Sequence, residues 1–98
     1  MTGKQYLDLV LDKLTPLGAV TGKSMFGGFG VFRDSRMFGL ISGDVLYLKA
    51  GQTNLAEYTS RDCPRFKLMP YYQVPADVFE DDDQLRQWAR RSIELNQL

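Results

Sequence analysis

Cys63 is the side chain of this sequence best suited to nucleophilic chemistry, because the chain holds one cysteine and no histidine. A cysteine attacks as a thiolate, and a neighbouring base such as histidine usually generates that form. The sequence offers no such base, and Pro64 places Cys63 in a turn. We therefore expect a small packing residue at Cys63, no catalytic residue, and a protein that is not an enzyme.

The acidic run of residues 80–83 has the chemistry to attract a hard cation, since carboxylates are suitable ligands for calcium or magnesium. The run lacks the spacing and the glycine of an EF-hand loop. Asp81 is better explained as a helix N-cap, with Asp82 and Asp83 at the positive end of the helix dipole. The run predicts a helix start, and no metal site is expected.

A cluster of glycines, Gly27, Gly28 and Gly30, has the composition of a phosphate cradle. Dinucleotide and P-loop sites place such glycines between a strand and a helix, whereas here another strand is predicted to follow. Residues 22–24 spell the end of a P-loop, but Leu17 occupies the position where its first glycine is required. The glycines therefore predict a tight turn or bulge, and no cofactor is expected.

Two groups of side chains are candidates for contact with a partner. The first group is three arginines on the outer side of the last predicted helix, Arg86, Arg90 and Arg91. They could meet phosphates or an acidic protein surface, although a solvated helix face is the simpler interpretation. Tyr71 and Tyr72 are adjacent in a predicted strand, so their side chains should point to opposite faces and at least one should be partly exposed.

Composition limits the classes of protein to consider. Twelve basic and twelve acidic residues cancel in a chain of 98 residues, so there is no overall positive field to hold a nucleic-acid backbone. The length fits one compact domain, 1–98. No apolar stretch approaches the roughly 20 residues that span a bilayer, and the first residues do not resemble a signal peptide. A cytoplasmic location is the default expectation.

The first half of the chain predicts a helix followed by an antiparallel meander. Thr2 and Gln5 fit a capping box, and the apolar residues that follow share one helical face that should end near Leu14. Alternating apolar residues and tight turns then predict four strands, over residues 19–26, 31–33, 37–41 and 45–49.

The second half predicts a short helix, one more strand and a long helix. Asn54 should cap the short helix through Tyr58, and the alternation of residues 66–69 predicts a strand that Pro70 confines to a sheet edge. A helix from about Asp82 to Asn96 should bury one face. An α+β fold results.

Several segments, in this order, resemble the amino-terminal domain of the bacterial TfoX/Sxy proteins. The segments that carry the resemblance are residues 24–30, 37–41, 46–49, 71–75 and 88–90, and the family-motif residues expected to be structural are Met25, Phe26, Gly27, Gly28, Gly30, Tyr47, Leu48 and Lys49. The resemblance implies a curved antiparallel β-sheet of about five strands flanked by helices, like the secretion-chaperone fold, in the order α-β-β-β-β-α-β-α.

The family resemblance also implies a function. Members of this family are linked to natural transformation, where they promote transcription of DNA-uptake genes with the cyclic-AMP receptor protein. Longer members carry a second, helical carboxy-terminal domain, and the sequence ends at Leu98 without one, so direct DNA binding is expected to be weak. The expected function is a non-catalytic regulatory module that contacts the cyclic-AMP receptor protein or RNA polymerase.

Two further interpretations remain open from the sequence. The domain could instead sense a small ligand in a pocket beside Trp88, or act as a stand-alone dimeric adaptor unrelated to competence. A homodimer is also expected, because the predicted edge strand around Pro70 offers a pairing surface.

Overall fold

The computed structural model describes residues 1–25 and 27–97, so the predictions for Phe26 lie outside the described residues. Its elements confirm the predicted α+β fold, with two short helical elements beyond those predicted, a 3-10 helix and α3. They are α1 (Gly3–Lys13), a 3-10 helix (Thr15–Leu17), β1 (Val20–Met25), β2 (Gly28–Arg33), β3 (Arg36–Ser42), β4 (Val45–Lys49), α2 (Leu55–Thr59), β5 (Tyr71–Gln73), α3 (Ala76–Glu80) and α4 (Asp82–Leu95).

Helix α1 begins at the predicted capping box. Thr2 Oγ1 accepts a hydrogen bond from the Gln5 backbone N–H at 3.1 Å, and Gln5 Oε1 accepts one from the Thr2 N–H at 2.8 Å. The two bonds satisfy two backbone donors that the first turn of a helix otherwise leaves free. Leu7 and Val10 then face the core. No helix within residues 1–25 and 27–97 is long and apolar enough to cross a membrane.

Two-residue turns connect the central strands of the meander. Asp34 and Ser35 both have positive φ, 52° and 62°, between the paired residues Arg33 and Arg36. Gly43 and Asp44 repeat this geometry between β3 and β4, with φ of 57° and 56°. Positive φ at both central residues defines a type I′ turn, whose twist matches that of the strands. The turns therefore set the register where β2 meets β3 and β3 meets β4, and an irregularity between Val31 and Phe32 then shifts the β2–β3 register.

The five strands form one antiparallel sheet in the order β1-β2-β3-β4-β5. Helix α4 lies against β3 and β4, and α1 lies against β1, so the helices cover one face, which we call the inner face. Strand β4 shows the division: Leu46 and Leu48 are buried in the main core, while Val45, Tyr47 and Lys49 alternate with them and are half-buried. This alternation confirms the prediction for β4.

The two edges of the sheet differ. Residues 64–66 run along the outer edge of β5, where the Gln73 N–H donates to Pro64 O and the Phe66 N–H to Tyr71 O, both at 2.8 Å. On the far side of β1, the described part of the chain places no strand. The sheet is therefore covered at one edge and open at the other.

The strand predicted over residues 66–69 is wrong. These residues form a turn, and β5 begins only at Tyr71. Lys67 has a φ of 51°, in the left-handed region that ends a strand. The Arg65 guanidinium also donates to the carbonyls of Leu68 and Met69, at 2.8 and 2.9 Å, which holds the backbone in a bend.

The helices and the sheet are joined at the main-chain carbonyl of Lys49, the last residue of β4. Asn54 Nδ2 donates to this oxygen at 3.1 Å and Ser92 Oγ donates to it at 2.7 Å. Asn54 and Ser92 are the buried polar residues of the described chain. Asn54 stands at the predicted N-cap position of α2, but its Oδ1 accepts from the Gly51 N–H at 2.8 Å and makes no cap bond to the helix.

We predict that Asn54→Ala lowers the free energy of unfolding by about 1 to 3 kcal/mol, because it removes two part-buried hydrogen bonds and leaves the Gly51 N–H without its partner. Urea denaturation measures the change. Gln52→Ala, two residues away and exposed, is the control and should stay within about 0.5 kcal/mol of the parent. Equal effects of the two changes would contradict this role for Asn54.

Tyr58 carries a buried hydroxyl without a hydrogen-bond partner among the residues described. Its ring packs edge-on against Trp88, with the centroids 4.8 Å apart. Burial raises the pKa of Tyr58 above its ordinary value, and Ser92 opposes this only in part, since the Ser92 hydroxyl donates to Lys49 O. The aromatic ring, and not the hydroxyl, is therefore what Tyr58 contributes to the core.

We predict that Tyr58→Phe leaves stability unchanged or raises it by up to about 1 kcal/mol, since it removes an unsatisfied buried oxygen. Tyr71→Phe is the matched comparison. It should lower stability by about 0.5 to 1.5 kcal/mol, because the Tyr71 hydroxyl donates to Met37 O at 3.3 Å. Thermal denaturation of both variants tests the difference, and a larger loss for Tyr58→Phe would contradict it.

Candidate protein-contact surface

The outer face of the sheet, opposite the helices, carries an apolar patch built around Gly30. A Cβ added at Gly30 would collide with Met25 Sδ and would lie 2.8 Å from Phe32 Cε1 and 3.0 Å from Met37 Sδ. Glycine is therefore required here because three side chains close over its backbone. We call the half-buried residues of this patch the methionine face: Met25, Phe32, Met37, Tyr47 and Phe66.

The other described residues of the family motif have identifiable structural positions. Gly27 has a φ of 72° in the β1–β2 turn, and a Cβ at Gly28 would collide with the Ile41 carbonyl oxygen. Leu48 lies in the main core, and Tyr47 packs against Phe66 on the outer face, with ring centroids 5.1 Å apart.

Lys49, the last motif residue, contacts the end of helix α4 with its side chain. Its Nζ donates to Asn96 Oδ1 at 2.6 Å, and Asn96 Nδ2 donates to Met37 O at 3.0 Å. The side chain and the main-chain carbonyl of Lys49 thus both connect the end of β4 to α4.

Tyr71 and Tyr72 point to opposite faces of the sheet, as their alternation predicts. Tyr71 is paired with Lys49 on the outer face and is only 5% exposed. Tyr72 is paired with Leu48 on the inner face and packs against Tyr58, with centroids 5.8 Å apart. Tyr72 is half-buried, so each tyrosine has most of its surface in contact with the domain itself.

The three candidate arginines of α4 do not form one patch. Arg86 Nε donates to the Lys13 carbonyl at 2.7 Å, which ties α4 to the end of α1. Arg91 forms an ion pair with Glu57 of α2. Arg90 is exposed and lies beside Arg33. Of the three, Arg90 is the one whose described contacts leave it most available to a partner.

Two hollows near the end of α4 share Arg33, Ile93 and Gln97 as lining residues, and we call the two together the arginine groove. One hollow, of about 280 Å³, is lined by Arg33, Arg36 and the acidic Asp34. The other, of about 290 Å³, is lined by Arg33, Arg90 and the acidic Glu94. Arg36 also donates to the Asn96 carbonyl. Arg33 and Arg36 were not predicted as candidate contact residues, although their places on either side of the Asp34-Ser35 turn put them together.

The region beside Trp88 is filled by the core, with Tyr58 against one side of the indole. The cation of Arg61 lies 5.9 Å from the centroid of the same ring. The ligand pocket expected beside Trp88 stays a prediction.

The acidic run has structural contacts. Asp81 caps α4 by accepting from the Gln84 N–H at 3.1 Å, and its hydrogen bonds from the Gln84 side chain and backbone lower the pKa of Asp81. Asp82 pairs with Lys13 at 3.0 Å. Within residues 1–25 and 27–97 no three metal-binding side chains gather.

Cys63 is half-buried. Burial raises the pKa of its thiol; Asp62 and Asp77 raise it further, against the opposing effect of Arg61. At a given pH the folded protein therefore holds less of the reactive thiolate than an ordinary exposed cysteine does.

We predict that Cys63 reacts with iodoacetamide more slowly in the folded protein than in urea, across the neutral to mildly alkaline range. Because the folded pKa is raised, the rate in the folded protein should still be rising with pH after that of the unfolded chain has levelled off. Mass spectrometry of timed samples measures both rates. Faster labelling of the folded protein would show an activated thiol and contradict the prediction.

The fold and surfaces described so far define a small α+β domain whose distinguishing features are an apolar outer sheet face and an arginine-lined groove. Residues 12–95 match the TfoX N-terminal domain family. The chain therefore belongs to the TfoX N-terminal domain family, as the resemblance of its motifs predicted.

A similar protein is "DNA transformation protein TfoX1" of Aliivibrio fischeri. It is 39% identical to this chain over 51 residues, which are 52% of the chain and 24% of that relative. The match thus spans about a quarter of the relative's length.

Proposed function

We propose that this domain is a non-catalytic regulatory module that supports DNA transformation through protein contacts. The similarity to a DNA transformation protein is the observation that carries the proposal. The candidate partners are the cyclic-AMP receptor protein and RNA polymerase, and the site of action is the cytoplasm, where both proteins work. Twelve basic residues balanced by twelve acidic ones favour protein contact over direct DNA binding.

Two surfaces support a contact role. The methionine face presents half-buried thioether and aromatic side chains, and methionine is frequent at adaptable binding surfaces because its side chain is flexible and polarisable. The arginine groove brings three arginines to one end of the domain against two lining carboxylates, Asp34 and Glu94, and this net positive charge suits an acidic surface on a partner. An apolar face and a cationic groove together favour a folded protein as the partner.

We predict that the domain shifts a DNA-uptake promoter in a gel only when the cyclic-AMP receptor protein is also present. The mixture should give a complex that migrates more slowly than that of the receptor protein with DNA. The titration is run with each protein alone and with both, at two salt concentrations. A salt-sensitive shift by the domain alone would mean direct phosphate contact and would contradict the proposal.

Arginine variants test the groove in the same assay. Arg90→Ala should weaken formation of the joint complex by about two- to fivefold without changing the melting temperature, since its side chain is exposed. Arg86→Ala is the matched control. It should lower the melting temperature, because it removes the bond to Lys13 O. An unchanged joint complex with Arg90→Ala would exclude this groove as the contact.

A further inference from the structure

Leu68 lies at the tip of the turn formed by residues 65–70 and is 88% exposed. Exposure of one leucine is ordinary, but the way in which this one is held is not. The Arg65 guanidinium donates one hydrogen bond to the Leu68 carbonyl, at 2.8 Å, and one to the Met69 carbonyl, at 2.9 Å. A charged side chain thus fixes the backbone that presents an apolar one to solvent.

Further contacts make this turn rigid. The Met69 N–H donates to Phe66 O at 3.1 Å, and the Phe66 ring is anchored on Tyr47. Lys67 is held at a φ of 51°, which a residue with a long side chain seldom adopts. Because the backbone of the turn is already held, Leu68 has less backbone conformational entropy to lose on binding, which favours a role as a binding anchor.

The turn is positively charged. Arg65 and Lys67 lie within it, and the chain has no acidic residue between Asp62 and Asp77. A surface complementary to the turn would therefore be an apolar cleft with carboxylates at its rim.

The same chain carries such a cleft. A cavity of about 220 Å³ lies between α1, α3 and the β4–β5 end of the sheet, and its apolar walls include Tyr6, Leu46 and Phe79. The carboxylates of Asp44 and Glu80 line it as well, and both residues are exposed. Its volume is several times the roughly 30 Å³ of one water, which leaves room for a leucine side chain.

A turn cannot reach the cleft of its own copy. The turn adjoins the end of β4 where the Ala50 N–H donates to Pro70 O at 2.9 Å. The cleft adjoins the other end, where the Val74 N–H donates to Leu46 O at 3.0 Å. The two ends are separated by four strand residues, roughly 13 Å. A two-fold axis that crosses the middle of the β5 edge of the sheet would bring the turn of one copy against the cleft of the other.

We propose that a second copy of this chain occupies the cleft, in a two-fold dimer in which each copy inserts Leu68 into the partner's cleft and places Lys67 near its carboxylate rim. The dimer goes beyond the proposed function and does not depend on it. Because residues 64–66 cover the backbone of β5, the contact is made by side chains, which differs from the strand pairing expected from the sequence.

Sedimentation velocity across micromolar to millimolar concentrations tests the dimer. The parent chain should form a dimer of twice 11.2 kDa. Leu68→Asp should raise the dissociation constant by about a hundredfold, since the dimer contains the leucine contact twice and each is worth about tenfold. Its melting temperature at low concentration should not change, because Leu68 is already exposed. A parent that stays monomeric, or a dimer that survives Leu68→Asp, would overturn the proposal.

A charge exchange identifies the two surfaces. Lys67→Glu and Glu80→Lys should each weaken the homodimer, and an equimolar mixture of the two variants should restore dimers. In the mixed dimer the new carboxylate faces the new ammonium, and the unchanged Lys67 faces the unchanged Glu80. Lys23→Glu, on exposed β1, is the matched control; it should dimerise normally and should not rescue Glu80→Lys. Failure of the mixture to dimerise, or rescue by the control, would overturn the pairing of turn and cleft.

Discussion

The fold depends on one main-chain oxygen, the carbonyl of Lys49, which two buried polar side chains bind from two different helical segments. Asn54 reaches it from the start of α2 and Ser92 from the middle of α4. Both side chains are excluded from water, so each would be costly to leave unpaired. The next residue, Ala50, binds Pro70 at the base of the turn. The positions of two helices and of the turn therefore all depend on how β4 ends.

The two faces of the sheet are built on different principles. The inner face is a closed core in which leucine, valine and aromatic side chains pack under the helices. On the outer face, Leu40 and Tyr71 are buried outside the main core, beneath half-buried methionine and aromatic side chains. Gly30 makes this second layer possible, because a larger residue would displace Met25, Phe32 and Met37. A chain of this length can thus keep an apolar surface without giving up its core.

Much of the fold could be predicted from the sequence because its signals are local: the Thr2 and Gln5 capping box, the alternation in β4 and the two-residue turns lie within a few positions. The strand predicted over residues 66–69 is wrong because their alternation is that of a strand, while the hydrogen bonds from Arg65 that bend the backbone leave no trace in the hydrophobic pattern. The prediction that the arginines of α4 form one contact surface is wrong for another reason. Arg86 binds a carbonyl 73 positions away, and no local spacing indicates which helical side chains tertiary contacts will occupy.

The two edges of the sheet differ in whether they can pair with a further strand. Along β5 the backbone is already bonded by residues 64–66, so no further strand can be added there. Along β1 the ladder ends in a six-residue strand that is mostly exposed. Fibre growth by stacking of successive chains needs two receptive edges, and this sheet offers one, with Lys23 near its centre as a charge that an added strand would have to desolvate. The segment of residues 64–66 that covers β5 therefore also opposes polymerisation through this edge.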